Sequence, residues 1–122
     1  MRALIIPIVL SALATPAGAQ ARDVFGYAGE LGEWELTATV TGDDRTREFS
    51  GPLTMTHVGI CTVAEPEQKT GEIRFHLSHA RLDATLTVAG VECAYSGELA
   101  DFYSGTMACK NRQSLPLRLW VK

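Results

Sequence analysis

The feature that most constrains this chain is a strict two-residue alternation. Residues 33–41 read Glu-Trp-Glu-Leu-Thr-Ala-Thr-Val-Thr, with Trp34, Leu36, Ala38 and Val40 on one face and Glu or Thr on the other. Successive side chains of a pleated backbone point to opposite faces, so period two marks a half-buried strand. The pattern recurs along the chain. Phe49, Leu53 and Met55 share a face of a second segment that ends near Val58. Ile73, Phe75 and Leu77 oppose Glu72, Arg74 and His76, and Leu82, Ala84, Leu86 and Val88 oppose Asp83, Thr85 and Thr87. Further strands are expected near 91–99 and 103–110, and Leu115, Leu117, Leu119 and Val121 make the last. Turns are expected at 42–45 and at Ala89-Gly90, and a loop over the polar, Pro66-containing stretch 64–71. After residue 21 no helical period is sustained. The expected fold is all-β, a small antiparallel up-and-down β-barrel or a sandwich of about seven to eight strands.

A recurring unit favours the barrel. Aromatic–small–Gly–x–aliphatic occurs at Tyr27–Leu31, Phe49–Leu53, Tyr95–Leu99 and Tyr103–Met107. On a strand the aromatic, the Gly and the aliphatic share a face. A Gly there leaves a gap that an aromatic covers, and lets the strand coil sharply, as closure demands.

The start of the chain reads differently. Arg2 is followed by the apolar run Ala3–Leu10, then Pro16, then small-x-small sites at Ala17–Ala19 and Ala19–Ala21. This is the anatomy of a secretory signal peptide. The run is too short to cross a bilayer, which takes ~20 residues, and no transmembrane segment is expected later. Cleavage is expected after Ala19 or Ala21, so 1–21 is assigned as signal peptide and 22–122 as one domain. No Cys stands at the cleavage region to mark a lipoprotein, and the expected location is periplasmic or secreted. With 11 Lys and Arg against 14 Asp and Glu, there is no basic excess to lead nucleic-acid binding.

Three cysteines in an exported chain predict one disulfide and one free thiol. Reflecting a hairpin about Asp101 sets Cys93 opposite Cys109 and, in the same register, Gly97 opposite Gly105. Directly opposed residues come within disulfide reach. The expected bridge is therefore Cys93–Cys109, with Cys61 as the free thiol. Cys61 follows Met55 and His57, and thioether, imidazole and thiolate together would suit copper. Met107 could approach that set across a barrel. His76 and His79, three apart on a strand, face opposite sides and cannot chelate together.

Gly32-Glu33-Trp34, opening the first long strand, resembles the G-x-W signature of calycin-type barrels, which include lipocalins, avidins and small periplasmic inhibitors of bacterial metalloproteases. The resemblance concerns architecture. It implies that Gly32 and Trp34 are structural and that an Arg late in the chain, Arg118, stacks on the Trp.

No G-x-S-x-G, H-E-x-x-H or nucleotide-binding spacing occurs, and Glu33 and Glu35 read as solvent-facing strand residues. The expectation is a non-catalytic binding or inhibitor module without a cofactor, its partner a protein or a small apolar ligand. The alternatives are an envelope-associated structural module and a small copper-binding protein built on Met55, His57 and Cys61.

Overall fold

The computed structural model describes residues 19–58 and 67–122. Its strands are β1 (Ala19–Ala28), β2 (Trp34–Asp43), β3 (Glu48–His57), β4 (Gln68–Leu77), β5 (Arg81–Val88), β6 (Val91–Leu99), β7 (Tyr103–Cys109) and β8 (Ser114–Val121). Each pairs antiparallel with its sequence neighbours, and β8 closes on β1 through Leu117–Val121 against Val24–Ala28. The fold is an eight-stranded antiparallel barrel, and closure removes the free edges an open sheet would expose.

Alternation decides what lies inside. Along β5, Leu82, Ala84, Leu86 and Val88 are buried while Arg81, Asp83, Thr85 and Thr87 face water. Leu36, Val40, Leu53, Ile73, Leu117 and Leu119 fill the interior from other strands. Burying a side chain of this size stabilises by roughly 1.5–3 kcal/mol. The Phe49 and Phe75 rings stack with centroids 5.5 Å apart. Tyr95 is the one fully buried phenol among the described residues, and its hydroxyl donates to the Leu117 carbonyl at 2.9 Å. Burial pushes its pKa up from 10.0 to about 12.

Glycines let the wall bend. A Cβ on Gly71 would collide with the Thr87 carbonyl oxygen, so only glycine admits this approach of β4 to β5. A Cβ on Gly97 would meet the Tyr95 ring, which folds over the gap two residues away on its own strand. Three of the recurring aromatic–Gly units thus lie on strands, in β3, β6 and β7. The fourth does not: Tyr27 faces outward, Gly29 sits in a turn at φ +101°, and Leu31 is 93% exposed.

β1 departs from the expected pattern. Its inward positions carry small residues, Val24, Gly26 and Ala28, while Phe25 and Tyr27 point out. Those rings pack edge-on with each other at 5.2 Å, and Tyr27 packs edge-on with Trp120, which in turn meets Phe102 at 4.8 Å. The apolar bulk lies on the outer wall, inverting the alternation that reveals the other strands. Two boundaries also shift. β2 runs on to Asp43, and the turn falls at 44–47, ending on Arg47 at φ 57°. β4 begins at Gln68, inside the stretch expected to be loop, with Thr70 opposite Thr54. The expected leader before Ala19 and the thiol of Cys61 lie outside the described residues.

Candidate binding site at the open end of the barrel

The two ends of the barrel are built from different chemistry. At the end that holds the start of β1 and the end of β8, Arg22 continues the inward row of Val24. Its guanidinium lies 5.3 Å from the centroid of Phe49 and pairs with Asp44 in the β2–β3 turn at 3.1 Å. Arg47 donates from Nε to the Leu77 carbonyl at 2.9 Å, tying that turn to the end of β4. Cation, carboxylate and stacked Phe rings plug this end.

Among the described residues the opposite end is open. It is framed by residues 29–33, the strand ends at His57 and Gln68, the Ala89-Gly90 turn, and residues 110–113. A cavity of about 360 Å³ lies between them. Met55, Met107, Val88 and Leu115 supply its apolar floor, and the Cys93–Cys109 disulfide forms part of its wall. The register sets Cys93 opposite Cys109 and Gly97 opposite Gly105. Lys110 donates its backbone N–H to the Glu92 carbonyl, so the adjacent Cys pair is a non-hydrogen-bonded one, where strands approach most closely. The Lys110 ammonium also meets the Glu92 carboxylate at 3.2 Å on the outside of this hairpin.

Trp34 stands at the rim. Gly32 has φ +66°, a left-handed conformation that favours glycine, and the turn it completes delivers Trp34 to the start of β2. The Glu33 carboxylate accepts from the Leu31 N–H at 3.0 Å, which assigns it to turn capping. The cation over the Trp34 ring is Lys69, its ammonium 5.0 Å from the ring centroid. Arg118, expected there from the calycin resemblance, instead reaches the position of Gly32 from the outer wall, beside Tyr27. The His57 ring lies 4.6 Å from Trp34.

The structure therefore brings Met55 and Met107 to one cavity, with Trp34 in its wall and His57 against that ring. No group of three His, Cys, Asp or Glu side chains with metal-holding geometry occurs among the described residues. His76 faces solvent on β4 and His79 lies in the following bend.

Lys69 is the site residue the sequence reading missed. It is in phase with Gly71, Ile73, Phe75 and Leu77, hence on the inward row, and it pairs with Met55 across β3 and β4. The signal was present, because the period-two row of β4 extrapolates back to 69. The surrounding Glu, Gln, Lys and Thr concealed it as loop composition.

A larger hollow, about 500 Å³, lies on the outer wall over β3, β4 and β5, with Pro52, Glu72, Arg74 and Thr85 along it. It follows the bend of the wall at Gly51 and is lined chiefly by outward-facing residues. The open-end cavity is smaller, but its walls are inward side chains of several strands with one cation among them. Binding sites are typically such concave, mostly apolar spaces with a few placed polar groups. Compared with known protein families, characterised proteins and solved structures, the chain has no significant match.

Proposed function

We propose that this protein is an exported, non-catalytic binding module that takes its ligand at the open end of the barrel. The observation that carries the reading is the asymmetry of the ends. One is plugged by the Arg22–Asp44 pair over Phe49, while the other holds a 360 Å³ cavity with an apolar floor. Phe, Leu, Ile and Tyr fill the rest of the interior, so the ligand is small and sits at the mouth. The disulfide and the sequence of residues 1–21 support export. Edman sequencing of processed protein is expected to begin at Gln20 or Arg22; a start at Met1 would sink the export reading. Native mass spectrometry of protein recovered from its own compartment tests the binding reading. A retained small-molecule mass that disappears in Met107→Trp, which fills the cavity, is the expected result. An unchanged apo mass, with no response of Trp34 fluorescence to a panel of small amphiphiles, would overturn it.

A second reading rests on the convergence of Met55 and Met107. Two thioethers in one cavity, with the His57 imidazole beside its rim, fit a soft ion such as Cu(I) better than a hard one. Cu(I) titration that perturbs both methionine methyls at one equivalent would favour it. Alkylation in denaturant without reductant, expected to label Cys61 alone, decides whether a thiol is free to join.

A further inference from the structure

Resting on the open-end reading and deepening it, we infer that the cavity takes a small amphiphile with an apolar body and a single anionic head, the head held by Lys69. The cavity has room for roughly a dozen heavy atoms, taking ~30 Å³ each, the volume share of a water molecule in the liquid. Its floor offers two thioethers, Val88, Leu115 and the disulfide, none of which can pair with a charge. Lys69 is the one charged side chain among the residues that line it.

The position of that ammonium is fixed from two sides. Its backbone is locked opposite Met55 in the β3–β4 ladder, and its head lies over the face of Trp34. An ammonium over an aromatic face is held by the ring quadrupole without losing its charge. Among the described residues no carboxylate lies within salt-bridge distance of Lys69, whereas Arg22 at the other end is matched by Asp44. The polar residues that line the cavity with it are neutral: Asn111 and Gln113 bond each other across the β7–β8 turn, through the Gln113 N–H at 3.2 Å and the amide side chains at 3.3 Å. A cationic head would meet like charge at the rim, and a neutral head would leave the ammonium without a counter-charge among the described residues. An anion completes the site. The protein's formal charge of −3 opposes this only at long range, where salt screens it within about 8 Å.

The test uses the processed protein carrying ¹³C-labelled methionine methyls and three probes with one chain and different heads: decanoate, decanol and decyltrimethylammonium. Decanoate is expected to shift the Met55 and Met107 methyl signals and to bind about tenfold more tightly than decanol, the gain of one charge-assisted contact. The cationic probe is expected to bind most weakly. Lys69→Met should erase the preference, leaving decanoate no tighter than decanol, while Lys69→Arg should keep it. Added salt should weaken decanoate and spare decanol. Equal affinity for decanoate and decanol in the unaltered protein, or undiminished decanoate binding in Lys69→Met, would overturn the anion inference and leave the open-end reading standing. If no probe moves either methionine methyl, the open-end reading itself falls.

Discussion

Arg22 and Lys69 make an instructive pair. Each is a cation on the inward row of its strand, each lies over an aromatic ring, and each sits at one end of the same barrel. Arg22 has a carboxylate at 3.1 Å, stacked Phe rings beneath it and a side chain only 31% exposed. Lys69 has a cavity instead. Identical logic in the strand therefore gives a plug at one end and a cavity at the other. The difference lies in what the opposing turns supply. The β2–β3 turn brings Asp44 to Arg22, whereas the β7–β8 turn lines the cavity with the amides of Asn111 and Gln113. Arg22 is paired within its own chain through Nη2, although its buried Nε has no partner, whereas Lys69 has no ion pair with the described residues and is the cation we propose a ligand would meet.

The strongest way to break this contrast is at the disulfide wall. Replacing both Cys93 and Cys109 with Ser should lower stability by about 3 kcal/mol, as expected for opening a closed loop of this size. The loss should be accompanied by increased hydrogen exchange at the open end before the plugged end. Denaturant unfolding with exchange mass spectrometry measures both. A uniform rise in exchange along every strand would show that the two ends do not differ in local stability.

The wall between the ends can be probed through Tyr95. Its pKa is raised from 10.0 to about 12 by burial, so the folded state holds the phenolic proton more tightly than the unfolded chain. The resulting stability is fully present below pH 10 and is lost as the pH rises toward 12. Two pKa units correspond to about 2–3 kcal/mol. In Tyr95→Phe this alkaline loss should be absent. At neutral pH that variant should cost about 1 kcal/mol for the hydrogen bond to Leu117. Urea titrations at neutral and alkaline pH separate the two effects.

At the plugged end, Arg22→Met should destabilise by about 1 kcal/mol, through loss of the contact with Phe49 and of the half-buried pair with Asp44. The matching change at the open end, Lys69→Met, should cost less, about 0.5 kcal/mol, because the contact over Trp34 is lost but no ion pair with the described residues is. Thermal melts of the two variants side by side test the comparison. Equal destabilisation would mean that Lys69 is as structural as Arg22.

Several of these features are legible in the residues alone. Alternation marks the inward rows of β2, β3, β4, β5 and β8, since side-chain direction on a strand is a local property of the backbone. The Cys93–Cys109 register follows from reflecting one short hairpin, because a tight turn fixes the pairing of the strands it joins. β1 escapes such reading because its bulky residues, Phe25 and Tyr27, stack with Trp120 on the outer wall, ninety-odd residues away in sequence. The first turns of β4 escape because their polar side chains look like loop, although Lys69 is in phase with Ile73 and Phe75.

What the sequence by itself determined, then, is the period: which residues face in, and hence an all-β chain with an apolar interior and one hairpin bridge. What only the tertiary structure decided is the meeting of residues across and around the ends. Strand tilt and stagger in a closed barrel set which turns overhang which inward side chains. That geometry places Asp44 beside Arg22, lays Lys69 rather than Arg118 on Trp34, and gathers Met55 and Met107 into one cavity. Neighbouring residues fix the direction of a side chain, but its company depends on the closure of all eight strands.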